Sequence, residues 1–271
     1  MTVTNSREIA GELLAALAES RLIEPFSSRD PGFDLAAAYR VAALILDTRV
    51  KRGERPVGRK IGFTNFNIWP QYGVNTPIWA HVYATTVQQA NNNRAELSLA
   101  RMVSPRIEPE IVLKLAAAPR SGMDEAGLLG CIEWIAHGYE IVDCHFPGWK
   151  FTAADGIADF CLHGALIVGT PVAVAGEQDL VGKLRDFSIS LWRDGELQER
   201  GTGANVLGSP LKALAHLVGV IASLPQFEPL AAGEIVTTGT LTAALPVRPG
   251  ETWRTALEGI ALPGLEIVFH Q

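Results

Sequence analysis

Residues 106–112, Arg106-Ile107-Glu108-Pro109-Glu110-Ile111-Val112, constrain this chain more than any other stretch. Two glutamates stand two positions apart inside an apolar, β-branched run. In an extended strand, residues i and i+2 project from the same face. Glu108 and Glu110 then lie side by side, with Ile107, Ile111 and Val112 packed around them. Two carboxylates that close repel unless positive charge separates them. A hard divalent cation such as Mg²⁺ or Mn²⁺ meets that need, because it prefers carboxylate oxygen. The competing reading is a solvated strand face, on which paired glutamates are common. Pro109 cannot donate a ladder hydrogen bond, which predicts a strand end or edge at this point.

A chain of 271 residues can bury a large core as one sizeable domain, with or without a small appendage. At 48% hydrophobic and 19% charged residues it has ordinary globular composition. A net charge of −6 argues against general affinity for nucleic acid or anionic membrane. The N-terminal residues Met1 to Ser6 are polar, and no run approaches the ~20 apolar residues of a membrane span. Cys131, Cys144 and Cys161 lack CxxC spacing and read as reduced thiols, so a cytoplasmic protein without cysteine-bound zinc is expected. No Gly-rich nucleotide-binding motif is found.

The texture of the chain predicts helices over residues 1–55 and a β-rich body over 56–271. Asn5 with Glu8 resembles a capping pair, followed by an Ile9, Leu13, Leu14, Leu17 stripe. Asp34 can cap a second helix, with Leu35, Tyr39, Ala42, Leu46 and Val50 on one side and Gly53 at its end. Residues 121–137 fit a third helix with Leu128, Leu129, Ile132 and Ile135 inward. Strands are expected over 139–144, 166–174, 187–191, 235–236 and 265–269, with an Asp194-Gly195 hairpin turn. Ser209 and Pro210 open a further helix.

Several residues in this frame could carry chemistry. Glu140 lies in the apolar run Tyr139-Glu140-Ile141-Val142-Asp143, where a charge is either surface-facing or paired. With Glu108 and Glu110 it would make a three-carboxylate Mg²⁺ site. Lys60 lies in Gly58-Arg59-Lys60-Ile61-Gly62-Phe63-Thr64. The glycines permit close backbone approach, and partial desolvation would lower the lysine pKa toward proton transfer; a solvated basic loop is the alternative. His163 and His145 can be acid/base groups or hydrogen-bonded structural residues. The turn Thr237-Thr238-Gly239-Thr240 offers hydroxyls and backbone N–H groups that could hold a carboxylate, or it is an ordinary turn.

Taken in order, seven segments resemble the fumarylacetoacetate hydrolase superfamily, and within it the branch of 2-keto-4-pentenoate hydratases and 4-oxalocrotonate decarboxylases. They are Gly58–Thr64, Gly73-Val74-Asn75-Thr76-Pro77, Arg106–Glu110, Tyr139–Asp143, Ile157-Ala158-Asp159, Gly203–Pro210 and Gly233–Thr240. The resemblance spans nearly the whole chain. It implies an α+β fold, a β-rich mixed roll with a small helical N-terminal region. It also implies a Mg²⁺ or Mn²⁺ site on Glu108, Glu110 and Glu140, proton transfer by Lys60, and substrate-carboxylate binding at Thr238 and Thr240. The implied substrate is a small 2-hydroxy-dienoate or 2-oxo acid, bound to the metal through its carboxylate and 2-oxygen, so that the ion stabilises an enolate. A homo-oligomer is implied too, possible association with a related pathway enzyme included.

Two departures bear on the reaction. Ile78 and Trp79 follow Pro77, giving an apolar wall where hydratases of this type carry an acidic residue. Asp159-Phe160-Cys161-Leu162-His163 replaces a polar run, so that Phe160 joins the expected pocket and His163 becomes a new acid/base candidate. The leading expectation is a 2-keto-4-pentenoate hydratase-like lyase. A 4-oxalocrotonate-type decarboxylase is the main alternative, followed by an acylpyruvate-type C–C hydrolase and an inactive metal-binding partner subunit.

Overall fold

Strands Pro105–Leu115 and Ile132–Asp143 are buried along most of their length and pair antiparallel at the centre of the protein. They belong to a nine-stranded mixed sheet in this computed structural model, which describes residues 3–271. Seven of its strands run side by side in the order Ile78–Tyr83, Pro56–Gly62, Ile235–Thr237, Pro105–Leu115, Ile132–Asp143, His163–Val168, Val87–Gln89. Leu245–Pro246 adds to Pro105–Leu115, and Val172–Ala173 adds to Ile132–Asp143. Two pairings are parallel: Pro56–Gly62 with Ile235–Thr237, and Val87–Gln89 with His163–Val168. A second sheet of five strands runs Glu196–Thr202, Ser188–Arg193, Thr252–Glu258, Glu266–His270, Arg94–Ser98. Its first hairpin turns at Asp194-Gly195 with φ of 51° and 85°, the paired positive values of a two-residue hairpin loop.

The sheets share an apolar layer in which Ile107, Tyr139, Ile141 and Ile167 meet Leu191, Trp253, Ile267 and Phe269. Buried hydrogen bonds fasten it: the Tyr139 hydroxyl donates to the Leu265 carbonyl at 2.9 Å, and His137 Nε2 lies 2.7 Å from Thr255 Oγ1. On the other side, helix Val3–Glu19 packs on Leu35–Lys51, which packs in turn on the short helix Ala153–Ala158. Leu13, Val41 and Ile45 share one core with Ile61, Ile78 and Ile111, so the N-terminal helices and the body are packed as one.

The fold is α+β, as the sequence implied, but several local readings change. Helix Val3–Glu19 is already formed at Val3, which leaves Asn5 within its first turn and not at its cap. Asp34 does cap Leu35–Lys51, accepting from Ala37 N at 2.7 Å. That helix turns Ala38, Val41 and Ile45 inward, however, and leaves Val50 48% exposed. The helix expected over 121–137 is confined to Glu125–Leu129, and the chain re-enters as a strand at Ile132 that absorbs the predicted 139–144 strand. The strand expected over 166–174 is split into His163–Val168 and Val172–Ala173.

Pro109 stands mid-strand, not at an edge. Its carbonyl accepts from Leu241 N, in the loop where Ile235–Thr237 has ended and Leu245–Pro246 has not begun. In a strand, N–H and C=O of one residue point to the same side. The missing proline donor therefore faces the one gap in the neighbouring ladder, where no strand partner asks for it. By length and composition Gly203–Ala222 passes as a membrane span among the described residues, yet half of it is buried inside the protein, as in a core helix.

Candidate metal centre and substrate pocket

In the register of the two central strands Glu108 stands directly opposite Glu140. Glu110 follows two positions along. One oxygen from each of the three glutamates lies within 4.8 Å of the other two. Glu110 and Glu140 are fully buried, and Glu108 opens onto a cavity of about 370 Å³. Burial pushes Glu108 up to about 7; Lys60 opposes that shift and Glu140 adds to it. Burial, then the charges of Glu140 and Glu108, hold Glu110 well above the usual carboxylate range. Glu110 Oε1 is buried without a partner, and Glu140 Oε2 is met only by the Lys60 ammonium at 3.1 Å. Buried oxygens left unpaired are rare in folded proteins. Three converging carboxylates, one of them with such an oxygen, match the donor set of a hard divalent cation, so the residues present fit Mg²⁺ or Mn²⁺.

The other oxygens of Glu110 and Glu140 are aimed by neighbours. Glu110 Oε2 accepts from the Thr237 hydroxyl and from Gly239 N, the latter at 2.8 Å. Gly239 has φ of 104°, and a Cβ there would sit 2.0 Å from Thr64 Oγ1, so the turn has room only for glycine. Glu140 Oε1 accepts from His163 Nδ1 at 2.7 Å, and the other ring nitrogen of His163 lies 2.8 Å from Thr86 Oγ1.

Lys60 is buried, with Nζ donating to the Cys161 carbonyl at 2.9 Å and forming an ion pair with Glu140 Oε2 at 3.1 Å. Desolvation alone would depress this lysine, as the sequence reading expected. The charges of Glu140, Cys161, Glu108 and Glu110 outweigh it and raise the pKa instead. Glu140 shows the converse: burial would raise it, but Lys60 and His163 hold it below the ordinary value. The carbonyl that receives Lys60 sits in an unusual segment. Phe160, Cys161 and Leu162 are consecutive left-handed residues, with φ of 53°, 51° and 62°. Gly62 lets Cys161 approach: a Cβ on it would meet Cys161 Sγ at 2.8 Å.

The cavity beside Glu108 is lined by Lys60, Ile78, Arg106, Trp149, Leu162 and Thr240 among others. Phe63, Tyr72 and Phe151 form a chain of aromatic contacts along its wall, with centroids 4.4 Å and 5.6 Å apart. Some expected pocket residues lie elsewhere. Trp79 follows Ile78 on a strand and so points to the opposite face. It lines a small rear cavity of about 20 Å³ with Tyr39, His81 and Phe227. Phe160 also lines that rear cavity, because the left-handed turn directs Cys161 and Leu162 to the site instead. The Thr238 hydroxyl is spent on the Ile111 carbonyl at 3.0 Å; Thr240 lines the pocket, its hydroxyl donating to the Thr242 carbonyl at 2.9 Å. His163 does not line the substrate cavity: it stands behind Glu140 and, with His145, faces a separate cavity near Asp143. His145 is itself tied to Asp159, Nδ1 to Oδ1 at 2.7 Å. Arg106 and the Cys161 carbonyl were not given a role from sequence, and Thr237, named there within a carboxylate-binding turn, instead donates to Glu110. Only Arg106, two residues before Glu108 on the same strand face, carried a periodicity signal that could have found it.

The fumarylacetoacetate (FAA) hydrolase C-terminal family model matches residues 69–263. The chain belongs to this FAA hydrolase family. It is 30% identical over 253 residues to a 2-keto-4-pentenoate hydratase of Burkholderia vietnamiensis, covering 93% of each chain. It is 31% identical over 236 residues to a 4-oxalocrotonate decarboxylase of a Pseudomonas species, covering 87% of this chain and 88% of that one. Among solved structures, 4-oxalocrotonate decarboxylase from Pseudomonas putida G7, complexed with magnesium and adipate, superposes with a TM-score of 0.91 at 25% identity, over 99% of this chain and 98% of that chain. The relatives of this FAA hydrolase family member named here are a hydratase and a decarboxylase, both lyases, and the decarboxylase from Pseudomonas putida G7 was solved with magnesium and with calcium.

Proposed function

We propose that this protein is a divalent-metal-dependent lyase acting on a 2-oxo or 2-hydroxy-dienoic acid, with 2-keto-4-pentenoate hydratase-like activity as the leading reading. The observation that carries it is the convergence of Glu108, Glu110 and Glu140, with an unpaired buried oxygen on Glu110, on a pocket that also holds Lys60. Glu108, Glu110 and Glu140 would hold Mg²⁺ or Mn²⁺. When bound, the ion supplies positive charge that stabilises negative charge developing on the substrate's 2-oxygen. Lys60 holds a proton at Nζ, fixed by the Cys161 carbonyl and Glu140, for transfer at a substrate carbon. Thr240 lines the pocket as a contact for the substrate carboxylate, and Ile78 and the aromatic wall limit access of bulk water.

Decarboxylation is the second reading, favoured by the apolar Ile78 and by the fold match to a 4-oxalocrotonate decarboxylase. Hydrolysis of acylpyruvates needs a base to activate water, and neither His163 nor His145 lines the substrate cavity. Lys60 beside all three glutamates argues against an inactive partner subunit. A cytoplasmic homo-oligomer remains part of the proposal, checked by light scattering of the purified protein.

The test is incubation of the protein and Mg²⁺ with 2-hydroxypenta-2,4-dienoate and, separately, with 2-oxo-3-hexenedioate. Hydration removes the ultraviolet chromophore without CO₂; decarboxylation releases CO₂. Lys60→Ala is expected to lower kcat by at least 100-fold while leaving Mg²⁺ affinity within a few-fold. No turnover of either acid by the intact protein would sink the lyase reading.

A further inference from the structure

A second cavity, of about 420 Å³, is lined by His163, the residue that holds Glu140 Oε1. It shares no lining residue with the substrate cavity. Two carboxylates line it, and both are engaged. Glu54 Oε2 accepts from Arg49 Nε at 2.9 Å and Nη2 at 2.6 Å. Asp143 accepts from the backbone N–H groups of Val103 and Ser104, the latter at 2.6 Å. Donors are left over. Arg52 and Arg101, exposed residues that line the cavity, have no carboxylate partner among the described residues. The Arg101 guanidinium makes one bond, from Nη2 to the Ala18 carbonyl at 3.3 Å. His145 is the buried member of the set, 2% exposed. Its backbone N–H and its Nδ1 are both tied to the Asp159 carboxylate, at 3.0 and 2.7 Å. Its Nε2, at the other end of the ring, has no partner among the described residues.

A buried ring nitrogen without a partner is costly, and the bond at one imidazole nitrogen fixes what the other presents. Burial alone would lower the His145 pKa, but the bond and charge of Asp159, with the charge of Asp143, raise it. The cationic ring is therefore favoured, and it presents Nε2–H as a donor. Guanidinium groups are donors only and match the oxygens of carboxylate and phosphate. A third guanidinium, that of Arg49, is held in place by stacking 3.6 Å from the centroid of Tyr83. With its carboxylates engaged and its cations in surplus, this cavity suits a ligand that brings acceptors and negative charge, and disfavours a metal cation.

We propose that this cavity is a second ligand site, for a small oxyanion of the carboxylate or phosphate class, held by His145, Arg101 and Arg52. The site is separate from the substrate pocket and does not depend on the lyase reading. It places the anion beside His163, one residue removed from Glu140.

The test titrates inorganic phosphate and, separately, succinate into the full-length protein in Mg²⁺ by calorimetry at constant ionic strength. The wild type is expected to bind at least one of them saturably, and the tighter of the two tells phosphate from carboxylate. His145→Gln and Arg101→Met should each weaken that binding about ten-fold or more, the usual effect of removing a hydrogen bond to a charged group. Arg200→Met takes the same charge from an exposed residue outside the cavity and should leave affinity within about two-fold. Glu108→Gln should leave it unchanged, because that carboxylate belongs to the other cavity. Circular dichroism and the Mg²⁺ response of each variant report that fold and cluster are intact. If His145→Gln fails to fold, Arg101→Met, at an exposed position, carries the test. No saturable binding of either anion by the wild type overturns the site, as does unchanged affinity in either folded cavity variant. An equal loss in Arg200→Met overturns it in favour of general charge attraction, and a loss in Glu108→Gln in favour of binding at the metal cluster.

Discussion

Glu140 receives His163 on one oxygen and Lys60 on the other, so its orientation is set from two sides. Partners that orient a metal-binding side chain typically govern affinity by one to two orders of magnitude. His163→Ala is therefore expected to weaken Mg²⁺ binding about 10- to 100-fold by calorimetry; unchanged affinity would refute its positioning role. The pH dependence of the cluster follows from Glu108. Its folded-state pKa is raised to about 7, so it keeps a proton in the window where an ordinary glutamate has lost one. Protons then compete with the cation below pH 7, and Mg²⁺ should raise the melting temperature more at pH 8 than at pH 6. Glu140→Gln should erase the Mg²⁺ response at both pH values. The four central side chains were legible because carboxylates and a lysine inside apolar runs need partners. The aim of Trp79, Phe160 and Thr238 was not, because it depends on strand face and on a left-handed turn that no residue type announced.

The turn after Ile235–Thr237 does two jobs at once, packing against Thr64 and donating to Glu110. Replacing Gly239 by Ala imposes a side chain at φ of 104° and a clash at 2.0 Å. It should cost about 2 kcal/mol or more in urea unfolding and weaken Mg²⁺ binding as well. A variant with normal stability and normal Mg²⁺ affinity would show that the turn has slack. The misread helix has an equally physical cause. Leu128, Leu129, Ile132 and Ile135 recur at helical spacing, yet Ile132–Asp143 is buried on both faces and so shows no polar–apolar alternation. Short apolar runs of that kind do not distinguish a buried strand from a helix by period alone. Where local chemistry was explicit, as at the Asp34 cap or the Asp194-Gly195 turn, element and structure coincide.

Across the whole molecule, the helices share their core with the body, and acid stability should report on that packing. His81 is buried between Trp79 and Phe227. Burial, helped by Arg59, lowers its pKa to about 2. The folded state then excludes a proton that the unfolded chain takes up below about pH 6.5. Stability is full above that pH and falls toward lower pH by about 1.4 kcal/mol per unit for one such group. His81→Phe should flatten the slope of unfolding free energy between pH 6 and pH 4 by that amount; an unchanged slope would mean His81 is protonated in the fold. The order of segments made the global architecture readable, whereas the two-sheet arrangement depends on contacts between strands far apart in the chain. One of these contacts, the parallel pairing of Gly58–Lys60 with Ile235–Thr237, also sets a timetable for assembly. The three glutamates lie on two adjacent strands that end at residue 143, whereas the strand of Lys60 is joined to theirs only through residues 235–237. A growing chain therefore carries Lys60 before any of the glutamates is made but has no strand to seat it beside them until residues 235–237 follow, and closing this late, long-range loop is the step expected to limit how fast a working site appears.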